Sequence, residues 1–124
     1  MNQKGRAAWE WLVFGLIVVV AVFLLGSTYG FQQKLEKEKA LHNQLQVLRT
    51  AVLLYKSVNK ANPTNLEILA NGVFQLPDET LTRRYIEHPP TLSNGNLLDP
   101  FDNAYSYDVK NGWIKSTTSG YEFW

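Results

Sequence analysis

From Leu12 to Leu25 every residue is apolar except Gly15. That run reads as a membrane span, and it limits what the rest of the chain can be. A helix needs about 20 residues to cross the ~30 Å hydrocarbon core, so the run alone is short. Extending it from Ala7 to Tyr29 supplies the length but takes in a carboxylate, Glu10, set between Trp9 and Trp11. The two tryptophans suit one headgroup interface, and Tyr29 with Phe31 suits the other. A cleaved secretory signal is the competing reading, with Lys4 and Arg6 as its basic region. The GSTYG sequence that follows the run puts Thr28 and Tyr29 where a cleavage site needs small residues. Only a handful of residues precede the run, so the N-terminus is expected on the cytoplasmic side.

Composition narrows the function classes. The chain has 124 residues, a formal net charge of +1 and no cysteine, which bounds it to one small domain with an appended element. Lys34, Lys37 and Lys39 crowd together but alternate with Glu36 and Glu38. This is a solvated helix face, not a nucleic-acid patch. His42 and His88 each lack a carboxylate or second histidine at ligand spacing. With no nucleophile–base pair and no phosphate loop, no enzymatic activity, cofactor or metal site is expected. Tyr105, Tyr107 and Trp113 lack the basic groove that nucleic-acid stacking requires.

Leu41, Leu45, Leu48, Val52 and Tyr55 fall at spacings of 4, 3, 4 and 3, one apolar stripe on a helix. Nothing between Phe31 and Ala61 breaks a helix. The spacing therefore predicts a single helix from about Ala7 to Lys60, with Gly26 and Gly30 the places for a bend. The stripe suits one coiled-coil seam or the inner face of a helix covering a small sheet. Its two heptads carry no consistent flanking charge pattern, which favours the sheet. Beyond Asn62-Pro63, Thr64 and Glu67 are spaced as a capping box for a short helix ending at Asn71-Gly72. A further turn or two of helix is expected between Asp78 and Glu87, then loop from His88 to Asp102. Tyr105 to Val109 and Trp113 to Lys115, joined through Asn111-Gly112, predict a β-hairpin. Tyr121 to Trp124 is a third strand or a terminal anchor.

The expected fold class is thus α+β: a long N-terminal helix, membrane-spanning in its first half, packed on a small antiparallel sheet. Residues 1–5 form a leader-like segment and 6–30 the transmembrane half of the helix. Residues 31–61 form its amphipathic half, and 62–124 a loop-rich region with the sheet.

Lys4-Gly5, four residues, Glu10 and then an uninterrupted apolar helix resemble the processing site of type IV pilins and pseudopilins. Downstream, Leu48–Tyr55 followed by Asn62-Pro63-Thr64-Asn65-Leu66-Glu67 is similar to the spine end and first loop of major pseudopilins of type II secretion. Asp99-Pro100-Phe101-Asp102-Asn103-Ala104-Tyr105-Ser106-Tyr107 resembles their segment leading into the sheet. Arg6 stands where the family usually has an apolar residue, and the helix lacks the membrane-half proline of many pilins. The Gly- and Asp-rich calcium loop of major pseudopilins has no counterpart after Asn103.

The resemblance implies a pilin-like fold and a structural role. A prepilin peptidase would cut between Gly5 and Arg6 and methylate the new amino terminus. Glu10 would pair with the amine of a neighbouring subunit, in self-polymers or with other pilin-like subunits. The filament would be a pseudopilus or pilus, raised from the bacterial inner membrane by an assembly platform, with the C-terminal part periplasmic. Two alternatives stand beside this: Glu10 snorkels to the interface beside Arg6, or the chain is a monomeric single-pass scaffold that binds another envelope component.

Overall fold

The computed structural model describes the backbone from Gln3 and the side chains from Ala8 to Trp124. Residues 1–2, within the leader-like segment, lie outside the described residues. The fold is α+β, as expected: one long N-terminal helix followed by small antiparallel sheets. Helix α1 runs Gln3–Asn59 without a break, through both Gly26 and Gly30. The chain divides into two compact units, Met1–Glu36 and Lys37–Trp124.

In the first unit every described side chain is exposed, including the whole apolar run. This helix is long and apolar enough to cross a membrane. Two of its polar side chains satisfy themselves locally: the Ser27 hydroxyl donates to Leu24 O (3.1 Å) and that of Thr28 to Leu25 O (2.9 Å). Back-bonding of this kind removes the desolvation cost of a hydroxyl in hydrocarbon.

The second unit has its own core. The α1 stripe is buried as its spacing predicts: Leu41, Leu45, Leu48 and Val52 are at most 3% exposed, and Tyr55 packs against the cluster. Leu66 and Leu69, with Ile86, Leu97, Tyr105 and Ile114 from farther along, close over the stripe. Full burial of one leucine contributes about 1.5–3 kcal/mol, so these few side chains dominate the stability of the unit.

The helix ends at Asn59, whose amide donates to Tyr55 O, and Lys60 takes a left-handed conformation (φ 59°) with its N–H on Lys56 O. Asn62 then ties the exit to the far end of the chain, its amide donating to Val109 O and Lys110 O. Helix α2 spans Glu67–Asn71. Its cap differs from the expected box: Asn65 Oδ1, not the Thr64 hydroxyl, accepts from Ile68 N–H (3.1 Å). Gly72 is extended rather than left-handed. A glycine is required there because a Cβ would sit 2.2 Å from Ile68 O.

The sheet content is three two-stranded antiparallel ladders in place of one sheet. Strand β1 (Val73–Gln75) pairs with β2 (Thr82–Arg84), and β2 lies where a further turn or two of helix was expected. Within the six-residue connection, Leu76 to Glu79 make a turn closed by Glu79 N–H on Leu76 O (3.1 Å), and an Arg83–Glu79 ion pair (2.9 Å) braces it. Strands β3 (Leu92–Ser93) and β4 (Asn96–Leu97) form a second hairpin inside the expected loop. Its turn, Asn94-Gly95, has two positive φ angles (51° and 80°), the type I′ pattern. The predicted hairpin is β5 (Ser106–Asp108) with β6 (Trp113–Lys115). Its loop spans four residues, closed by Gly112 N–H on Asp108 O (2.7 Å), so Asn111-Gly112 is not a two-residue turn. Gly112 (φ 70°) also has Val52 Cγ1 and Asn62 Oδ1 each 3.1 Å from where a Cβ would lie.

Candidate functional site

Glu10 is the only charged residue in the helix from Ala8 to Gln33. It is exposed, and no described residue gives it a hydrogen bond or an ion pair. Trp11 and Phe14 flank it in an edge-to-face pair (centroids 6.3 Å, 81° between planes), and the three side chains line one shallow groove. The flanking bulk comes from helical spacing: residues 10, 11 and 14 share one face. Its surface is apolar with one carboxylate; a charged side chain costs roughly 2.5–3.5 kcal/mol at the centre of a bilayer and less toward the headgroups, the level that Trp9 and Trp11 suit. Gly5 and Arg6 lie within the backbone of the same helix, and the Arg6 side chain is outside the described residues.

A second constellation organises the C-terminal unit around Asp99, a carboxylate only 4% exposed. Its Oδ1 accepts from the N–H groups of Phe101 (2.9 Å) and Asn103 (3.0 Å). Its Oδ2 accepts from the hydroxyls of Ser116 (3.1 Å) and Thr118. Asp102 turns left-handed (φ 65°) so that its N–H reaches Asp99 O and the Asn103 carbonyl receives Asp99 N–H. Asn103 extends the network to Thr118 Oγ1 (2.9 Å). The Asp-Pro-Phe-Asp-Asn sequence is thus a clip that fastens the segment after β6. Four protein donors occupy Asp99, and among the described residues no three His, Asp or Glu side chains converge.

The two tyrosines that follow anchor the clip to helices and loops behind it. Tyr105 donates to Gln44 Oε1 (2.7 Å) and Tyr107 to Pro63 O (2.8 Å). Burial, helped by the negative charge of Asp99, holds the Tyr105 phenol well above its ordinary pKa. Tyr107 is raised too, by burial first and then by Asp108 and Tyr55.

The C-terminal residues are an anchor and not a strand. Tyr121 donates to Glu38, stacks on Phe101 (5.3 Å) and touches Trp124 edge-on, and Trp124 meets His42 in the same way. The hydrogen bond to Glu38 is the main cause that raises the Tyr121 pKa. On the other side of β6, Arg49 donates from Nε and Nη2 to Ile114 O and lies 4.4 Å above the Trp113 ring. Sequence reasoning missed Asp99 and Arg49 as organising residues: Arg49 falls among the polar residues between the stripe positions and reads as solvated, and the Asp-Pro turn was the only local signal for Asp99. Comparison with known family models, curated proteins and solved structures returned no match.

Proposed function

We propose that this chain is a pilin-like structural subunit, assembled through its N-terminal helix into a pseudopilus or pilus of a type II secretion or type IV pilus system. The carrying observation is Glu10: a single carboxylate on an otherwise apolar, wholly exposed helix surface. Pairing lowers the cost of a membrane-embedded carboxylate, and a cut between Gly5 and Arg6 would create a cationic amine one helical turn away. Offered by the neighbouring subunit, that amine neutralises Glu10 and fixes the register between helices. Removing one member of a desolvated pair is far costlier than the pair's net contribution, so the pair selects the correct neighbour. The separately folded second unit supports the same reading, since its core closes without using the apolar run.

The subunit sits in the bacterial inner membrane with its C-terminal unit in the periplasm until it is incorporated. Its partners are copies of itself or related subunits, a prepilin peptidase, the assembly platform and lipid. Mass spectrometry of the protein from its native membrane tests this. Loss of residues 1–5 with a methylated Arg6 amine is expected. An intact N-terminus in cells with an active prepilin peptidase would leave a bitopic scaffold as the reading.

A further inference from the structure

The chain contains three Asn-Gly dipeptides, Asn71-Gly72, Asn94-Gly95 and Asn111-Gly112. This sequence is the most prone to spontaneous deamidation, because glycine has no side chain to hinder attack by its own backbone nitrogen. In the folded protein the three are held very differently. The Asn111 amide donates to Asp108 Oδ2 (2.7 Å), and the would-be attacking nitrogen, Gly112 N–H, is bound to Asp108 O (2.7 Å). Asn71 ends helix α2, and Gly72 is wedged against Ile68 O and the Tyr85 ring, with its own carbonyl receiving Tyr85 N–H. Asn94 is exposed and makes no side-chain hydrogen bond among the described residues. Its turn is closed by a ladder of only two residue pairs, Leu92↔Leu97 and Ser93↔Asn96.

We propose that Asn94-Gly95 is a self-modification site, where the folded subunit ages by conversion of Asn94 to aspartate and isoaspartate. Local opening of the short ladder lets Gly95 N attack Asn94 Cγ. The new C–N bond closes a succinimide, and Nδ2 leaves as ammonia, taking up the proton that Gly95 N loses. Water then adds to either ring carbonyl and opens the ring, giving aspartate or, by the other cleavage, isoaspartate. The product takes the formal net charge from +1 to zero. The carboxylate appears in a turn that Glu67 Oε2 already approaches, 3.7 Å from where a Gly95 Cβ would lie. Isoaspartate also adds a methylene to the backbone of a two-residue turn. That shift is felt by Leu97, the fully buried end of β4, so ageing at the surface reaches the core.

The test is a peptide map of the full chain in detergent, incubated in mildly alkaline buffer at body temperature. Conversion at Asn94 is expected to run at least about tenfold faster than at Asn111, the latter held by local structure. In denaturant, where the three dipeptides are equivalent, their rates should converge. Asp108→Ala, at an exposed position, should raise the rate at Asn111 toward that of Asn94 while circular dichroism stays unchanged. Equal rates at the three sites in the folded chain, or an Asn94 that keeps its amide while the unfolded chain converts, would overturn the proposal.

Discussion

Asp99 and Ser116 lie 17 positions apart in the chain and are joined by a buried hydrogen bond of 3.1 Å. With Thr118 on the same carboxylate oxygen, this contact fastens everything after β6 to the turn before β5. Truncating Asp99 leaves two hydroxyls and two backbone N–H groups without their acceptor, at about 1–3 kcal/mol for each group that stays buried and unpaired. Asp99→Ala is expected to destabilise the second unit by at least about 3 kcal/mol. Asp99→Asn should cost less, since its oxygen keeps the Phe101 and Asn103 N–H groups and the hydroxyls can reverse to accept. Thermal melts of the two variants check the order.

Leu48 is fully buried in the α1 stripe. Leu48→Ala is expected to cost about 2–5 kcal/mol, the range for a leucine deletion that leaves a cavity. Leu53, five residues on and so on the opposite face of the helix, is 65% exposed and should tolerate alanine within about 0.5 kcal/mol. Denaturant unfolding of the full chain in detergent separates them.

Tyr105 gives stability a limit at high pH. Its folded-state pKa is raised above the ordinary 10.0 by burial and Asp99. Below about pH 10 the phenol is protonated in both states and its contribution is whole. Above that, the unfolded chain releases the proton first, so stability falls as pH climbs toward the folded-state value. Tyr107 and Tyr121 act in the same direction. Melting temperature should drop more steeply above pH 10 for the native chain than for Tyr105→Phe.

Arg49 covers the backbone of β6 at Ile114 with a two-nitrogen fork and stacks on Trp113. A lysine keeps the charge but neither the fork nor the planar stack. Arg49→Lys is expected to lose about 1 kcal/mol and to shift the Trp113 fluorescence toward that of a more solvated indole. An unchanged stability would show that the contact is incidental.

What was legible in the sequence follows from where each feature gets its energy. The α1 stripe was readable because Leu41 to Val52 take their burial from helix geometry alone. The β5–β6 hairpin was readable because Tyr105, Tyr107 and Ile114 put one face inward. Strands β1 and β2 were not, since only Phe74 among their six residues is even partly buried. Strand β3–β4 did announce its turn through Asn94-Gly95, but its two-residue strands are too short to alternate. The Asp99 network was hidden for another reason: Ser116 and Thr118 reach it only after the chain has folded back. Within the candidate site, the placement of Glu10 on an apolar helix was legible from one line of sequence, while the amine proposed to pair with it belongs to a neighbouring subunit.

The most direct measurement is filament incorporation of Glu10→Ala compared with the native chain, both expressed at equal levels in cells with the complete assembly machinery. The alanine removes one carboxylate from an exposed helix face and should leave membrane insertion and the fold of the second unit intact. Membrane fractions should therefore hold normal amounts of the variant, while sheared filaments lack it. Incorporation equal to that of the native chain would contradict the role assigned to Glu10 and, with it, assembly through a paired carboxylate.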